Sequence, residues 1–330
     1  MHTRYGSIDE LVVSEVPTPV PGPGEVLVSV RATSVHPDVW HVVRGRPLVL
    51  RAMGNGLRRP KWTVPGTDLA GVVEAVGPDV CDLQVGDEVY GESIRGHQWK
   101  SGGAFAEFAT APVGGLARKP AELSFSAAAA IPTAALIALQ AVQDEGHVRA
   151  GQRVLVNGAG GGVGIFAVQI ARSIGATVTA VDAASKLDEL TVLGAHHTID
   201  YSTHDFTQAD TTYDVIIDLP GTHPWRELKR VIAPGGRYVA VGHDRYGASG
   251  GGWFGGIPRI LGLVARSLTN PPLRPSRIRS RDTRMKELAH LVELGVIAPR
   301  VDREYPLEEA IAALRYLTTG APIGKVVLVI

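Results

Sequence analysis

Apolar positions change their period partway along this chain. Up to about residue 120 they fall into short valine-rich runs closed by turn residues, at 26–31, 70–77, 86–91 and 104–109. Runs of that kind predict β-strands. The tract from Pro17 to Gly24 breaks the chain ahead of the first of them. From Ser124 onward the pattern alternates. Ser124 stands before an alanine-rich stretch, a good helix start. A strand is predicted at 153–156. After it Val163, Phe166, Ala167, Ile170 and Ile174 recur at helical spacing, as one buried helix face would. Further strands are predicted at 177–181, 197–200, 213–218 and 237–241, with helices at 186–193 and 225–232 between them.

Strands alternating with helices build a parallel sheet covered on both faces. Right-handed connections make that sheet doubly wound. The fold class is therefore α/β: a β-rich part, then a doubly wound nucleotide-binding part. A sixth parallel strand is expected somewhere after Gly242, without a clear position. Helices follow at 257–268, 284–294 and 307–317, and the chain closes on an apolar strand that begins at Lys325.

Charge narrows the function classes. With 33 basic against 33 acidic side chains, no net field draws in nucleic acid or an anionic membrane. No apolar run reaches the ~20 residues of a membrane helix. The polar first residues lack a secretory apolar core. Cys81 is the single cysteine, which excludes an intrachain disulfide and any site of two or four cysteines holding zinc. A cytoplasmic protein is expected.

The most informative stretch is Asn157-Gly158-Ala159-Gly160-Gly161-Gly162-Val163-Gly164, which leaves a strand and opens a helix. Small Ala159 suits the tight turn. Gly161 lets backbone approach a pyrophosphate, and Gly164 lets helix and strand pack closely. Amides of Gly158, Gly162 and Val163 at the helix start would meet the phosphates. About 20 residues on, Asp182 ends the next strand, where a carboxylate accepts from the adenosine ribose hydroxyls. It would repel a 2′-phosphate, unless nearby Lys186 compensates. Without a ligand, Asp182 is simply a turn aspartate.

With these residues in register, the chain resembles a zinc-independent member of the medium-chain dehydrogenase/reductase superfamily, of the quinone oxidoreductase and reticulon-interacting-protein type. Pro21-Gly22-Pro23-Gly24-Glu25-Val26-Leu27-Val28, Pro65-Gly66-Thr67-Asp68-Leu69-Ala70-Gly71 and Val85-Gly86-Asp87-Glu88-Val89 carry the resemblance. So do Gly102-Gly103-Ala104-Phe105-Ala106-Glu107-Phe108, Leu193-Gly194-Ala195 and Gly324-Lys325-Val326-Val327. It implies a GroES-like catalytic domain over 1–123, a Rossmann nucleotide domain over 124–265, and a return to the catalytic domain over 266–330. It also implies a homodimer and an interdomain cleft holding the nicotinamide, with Gly242 and Lys325 among the cofactor contacts.

Where zinc-dependent members carry metal ligands, this chain has His36, Thr67 and Pro132. Thr67 and Pro132 cannot be the expected ligands, so no zinc is expected. Zinc-free relatives often carry Asn-Pro-x-Asp where this chain reads His36-Pro37-Asp38-Val39, and its first strand looks clipped. His36, Asp38 and Thr67 are the candidate catalytic groups: imidazole or hydroxyl could donate to a carbonyl oxygen, or His36 could be a loop histidine tied to backbone. Asp182 favours NAD(H) over NADP(H), against the habit of NADP-preferring relatives.

The acceptor would be small and hydrophobic, in a pocket of loop residues near Trp40, Trp62, Trp253 and Phe254. Two function classes stay open: a hydride-transferring reductase of a quinone, enone or carbonyl compound, and a nucleotide-binding protein without catalysis. Gly247-Ala248-Ser249-Gly250-Gly251 fits a hydrolase elbow only in letters, inside a glycine run. His196-His197 reads as a strand edge, and the arginines at 274, 277, 279, 281 and 284 as a solvated surface.

Overall fold

The valine-rich runs pair into one sheet, and the alternating segments build another. The computed structural model describes residues 1–48, 51–95, 102–242, 257–273 and 279–330. Along the first part run β1 (Glu25–Val35), α1 (Pro37–Arg44), β2 (Asp68–Val76), β3 (Glu88–Glu92), β4 (Phe108–Pro112) and β5 (Leu116–Arg118). The middle carries α2 (Phe125–Ala129), α3 (Pro132–Leu139), β6 (Arg153–Asn157), α4 (Gly162–Ser173), β7 (Thr177–Asp182), α5 (Leu187–Val192) and β8 (His197–Asp200). Then come β9 (Tyr213–Asp218), α6 (Trp225–Leu228), β10 (Ile232–Ala240) and α7 (Ile257–Ser267). The chain finishes with α8 (Arg281–Glu293), β11 (Val301–Pro306), α9 (Ala310–Thr318) and β12 (Lys325–Val329).

Among the described residues the first sheet has seven strands in the order β11-β12-β1-β2-β3-β5, with β4 also on β1. Strands from both ends of the chain thus share it, β12 lying antiparallel to β1 with Ser34 opposite Val327. The second sheet is parallel, in the order β10-β9-β6-β7-β8. Its order reverses beside β6, and in such sheets ligands bind off the carboxyl ends of the strands at that reversal. α3 joins the sheets: its Ala134, Ala135 and Leu139 share one apolar cluster with Ile165 and Phe166 of α4 and with Ala32 and Ala70 of the first sheet.

Several expectations shift by local chemistry. The Ser124 hydroxyl caps α2 by accepting from the Ala127 amide, but Pro132 stands at the start of a second helix, so the alanine-rich stretch is two helices. The strand expected at 104–109 begins at Phe108. Ahead of it Ala104 and Phe105 donate instead to the carbonyls of Gly66 and Pro65. α6 stops at Leu228, and Ile232 already pairs with β9. Among the described residues no sixth strand follows Gly242 in the parallel sheet, whereas β11, unexpected from its mixed polarity, extends the other one. His196 and His197 do lie at the β8 edge.

The arginines expected on a solvated surface are paired. Arg279 bridges Asp144 and Glu287, Arg281 meets Glu92, and Arg284 bonds Gln140. Arg274 and Arg277 lie outside the described residues, as do Gly247 to Gly251, Trp253 and Phe254. Trp40 is not a loop residue. It sits on α1, 6% exposed, packed with Val43, Leu314 and Leu317.

Candidate active site

The glycine turn after β6 forms as its sequence requires, with one exchange of roles. Gly158 takes the left-handed conformation (φ 81°), while Ala159 beside it is fully buried. Gly161 caps α4 without a side-chain hydrogen bond, so no capping side chain covers the amides of Gly162, Val163 and Gly164. A Cβ on Gly164 would stand 2.3 Å from the Gly158 carbonyl oxygen; nothing larger than hydrogen fits where helix and turn touch. Gly242 likewise lies against backbone, 1.8 Å from the Leu219 carbonyl oxygen to a notional Cβ. Both glycines sit off the carboxyl ends of the parallel strands.

Asp182 ends β7 with its carboxylate turned back to the turn. Oδ2 accepts from the Gly160 amide at 2.7 Å and Oδ1 from the Ala183 amide at 2.8 Å. Lys186 is nearly buried and its ammonium is committed: it donates to the Gly320 and Pro322 carbonyls at 2.8 Å each and stands 3.6 Å from Asp182. The loop ahead of β12 thus closes over this corner. Its Gly324 amide also donates to the Gly160 carbonyl at 2.9 Å.

The first sheet brings the other candidates to the same place. His36 ends β1's run as the residue capping α1, where Pro37 takes the first helical position. Its Nε2 lies 2.6 Å from Thr67 Oγ1 and its Nδ1 3.5 Å from Asp38. The His36 ring therefore lies between the other two predicted catalytic groups, within reach of both side chains. Asp38 at Nδ1 favours the proton there, so that in neutral imidazole Nε2 accepts from the Thr67 hydroxyl.

Lys325, at the head of β12, ties the two sheets together. A Cβ on Gly162 would meet its Cδ at 2.9 Å, so the side chain lies along the turn. Its ammonium is 3.7 Å from Asp68 Oδ2. Both ions are buried. Burial pulls the Lys325 pKa down, against the opposing pull of Asp68 and Asp38. Asp68 is further held by the Ser34 hydroxyl at 2.5 Å and by the Thr133 amide at 2.9 Å.

Two family models match the chain, one described as alcohol dehydrogenase GroES-like domain over residues 22–121 and one as zinc-binding dehydrogenase over residues 193–328. A 2-methylene-furan-3-one reductase of Solanum lycopersicum is 32% identical over 336 residues, covering 99% of this chain and 77% of that protein. The chain belongs to the medium-chain dehydrogenase/reductase superfamily. A second superfamily relative, the NADPH-dependent alkenal/one oxidoreductase of Arabidopsis thaliana chloroplasts, is 31% identical over 99% of this chain and 78% of its own length. Among solved structures of the superfamily, the quinone oxidoreductase from Coxiella burnetii aligns with a TM-score of 0.78 at 26% identity, over 99% of this chain and 97% of that one.

Asp68, Thr133 and Glu92 were not legible as site residues, although each left a trace. Asp68 and Lys325 are opposite charges that each lead a strand rich in apolar residues, and Glu92 is the acid that ends β3. If the Asp68–Lys325 pair stabilises the first sheet where it meets the glycine turn, Asp68→Asn should cost about 3–5 kcal/mol, the usual penalty for stranding a buried charge. Lys325→Met should do the same, and the double variant should lose less than the sum. Denaturant unfolding of the four proteins checks this; strictly additive losses would show the pair uncoupled.

Proposed function

We propose that this chain is a zinc-free, nicotinamide-dependent oxidoreductase that reduces an activated C=C or C=O bond, such as that of a quinone or enone. The contact between His36 and Thr67, at the edge where Lys325 meets the glycine turn, carries this reading. The turn fits a dinucleotide: glycines where backbone must come close, uncovered helix amides, and a buried cation at Lys325. Gly158, Ala159, Gly161, Gly162, Val163 and Gly164 would hold the pyrophosphate, with Lys325 and Gly242 flanking and Asp182 on the ribose. When bound, the reduced nicotinamide supplies the hydride. The chain's own task is the proton. With His36 as imidazolium, Nε2–H donates to Thr67 Oγ1, whose hydroxyl is then free to donate to the acceptor oxygen. As negative charge grows there, the proton passes from Thr67 to the acceptor and is replaced from His36, with Asp38 stabilising the ring. A small hydrophobic acceptor, a homodimer and a cytoplasmic location complete the proposal, resting on the superfamily resemblance and on the balanced charge. The division into 1–123, 124–265 and 266–330 belongs to it too, supported by the strands that both ends give to one sheet.

Zinc does not fit this donor set. A threonine hydroxyl and a proline stand where nitrogen or sulfur ligands would be needed, and among the described residues no three metal-ligating side chains converge. Elemental analysis should find no stoichiometric zinc in active protein. About one zinc per chain, with activity lost on chelation, would reverse this.

His36→Ala should lower kcat by about 10²-fold, the scale of general acid–base catalysis. Cofactor affinity should stay as it was. A variant with near-normal kcat would make His36 a structural cap of α1 and nothing more.

The cofactor choice follows from Asp182 and Lys186. The carboxylate keeps lone pairs for ribose hydroxyls beyond its two backbone donors, whereas a 2′-phosphate would face a like charge. Two of the three Lys186 donors are spent on the Gly320 and Pro322 carbonyls and its charge already faces Asp182, which leaves little to answer that phosphate. NADH should therefore exceed NADPH in kcat/KM by at least about tenfold, or ~1.4 kcal/mol. Asp182→Ser should narrow the gap mainly by improving NADPH. The alkenal/one oxidoreductase relative carries NADPH in its name, and a wild-type preference for NADPH would show that its habit extends here.

A further inference from the structure

Two acids face each other in the buried floor below Thr67. Asp68 of β2 and Glu92 of β3 are directly opposed across antiparallel strands. Asp68 is fully buried and Glu92 is 3% exposed. Between them stands the Thr133 hydroxyl from the start of α3, 2.5 Å from Asp68 Oδ1 and 2.6 Å from Glu92 Oε1. A hydroxyl has a single proton to donate, so it cannot satisfy two ionised carboxylates at once. One of the acids must itself carry a proton.

The remaining partners say which. Asp68 accepts from the Ser34 hydroxyl and the Thr133 amide, and Lys325 stands at its Oδ2. That surrounding suits a carboxylate. Glu92 has the Arg281 guanidinium of α8 at Oε2, 2.9 Å away, and Oε1 turned to Thr133. Arg284 of α8 and His36 also act on Glu92 through space. Burial raises its pKa most strongly and Asp68 adds to that, while Arg281, Thr133 and His36 oppose. Protons then run one way: from Glu92 Oε1 to Thr133 Oγ1, and from Thr133 to Asp68 Oδ1.

We propose that Glu92 and Asp68 hold one proton between them through Thr133, and that this shared proton makes Glu92 a positioning residue for the Lys325 ammonium at the cofactor turn. The proposal rests on the reading of Lys325 as a cofactor-binding group. While the proton is in place, Asp68 has one negative charge to offer and Lys325 answers it from beside Gly162. When the proton leaves, two carboxylates confront each other across one hydroxyl, less than about 5 Å apart, the most that two short hydrogen bonds can span. The added charge draws Lys325 away from the turn and disfavours an anionic dinucleotide. The sign follows from the raised pKa of Glu92: the arrangement is intact at low pH and is lost as pH rises and Glu92 gives up its proton.

Two measurements test this separately. Infrared difference spectra of the ligand-free protein at neutral pH should show the carbonyl band of a protonated carboxyl group, absent from Glu92→Gln and also from Thr133→Val if the bridge is what retains the proton. No such band in wild type would overturn the shared proton. Fluorescence titration with NADH should give a Kd that rises at least about fivefold between pH 6 and pH 9, a normal size for coupling between sites. In Glu92→Gln, whose amide can still donate to Thr133, the Kd should stay near the wild-type low-pH value at every pH. Parallel pH curves for the two proteins would overturn the link to Lys325. Lys325→Met separates the underlying reading: if it binds NADH as wild type does, the cofactor role of Lys325 is what fails, whatever the infrared band shows.

Discussion

A single buried ion pair sits where every part of this molecule meets. Lys325 and Asp68 lie at the heads of two strands that flank β1 on opposite sides, and neither has solvent to fall back on. Charges so placed are tolerated only when each is the other's partner and their remaining valences are filled. Ser34 and Thr133 fill those of Asp68, while the Lys325 stem packs along the glycine turn. The requirement is geometric as well as energetic: β12 must be in register on β1, α3 must present its first residues to β2, and the parallel sheet must bring Gly162 alongside. Satisfying one ion pair thus sets three packing relations at once.

Much of the architecture was legible because its periodicities are clean. Parallel strands buried on both faces read as short apolar runs, and 177–181, 197–200 and 213–218 match their strands to within a residue. Elements went unread where polarity hid them. β11, Val301-Asp302-Arg303-Glu304-Tyr305-Pro306, carries three charges, yet it pairs in parallel with β12 while its side chains stay largely at the surface. α1 begins with a proline and is short; its apolar residues pack against α9. The misplaced start of β4 has a different cause, since the backbone at 104 and 105 is spent on the Gly66 loop.

The site was readable to the extent that its chemistry is local. A strand, a glycine turn and a helix are contiguous in sequence, so the phosphate-binding turn announces itself. Asp182 is tied to it by a fixed spacing. The bond between Lys186 and the loop before β12 spans more than a hundred residues, and no local pattern encodes it. The same holds for Glu92, whose partners come from β2, α3 and α8. Such residues become visible only when topology has brought distant segments together. A charge at the edge of an apolar run is the one trace they leave.

That the first sheet draws strands from both ends of the chain bears on how the protein is made. Ala32 cannot meet Val329 until roughly 300 further residues have been synthesised, and contacts so distant in sequence are slow to form. The parallel sheet, whose strands lie close together in the chain, can assemble earlier on the ribosome. During that interval β1 presents to its surroundings the edge that β12 will later occupy, an aggregation-prone strand in a nascent chain. Yield in a cell should therefore depend on what shields that edge during translation, a vulnerability of timing that the finished fold no longer displays.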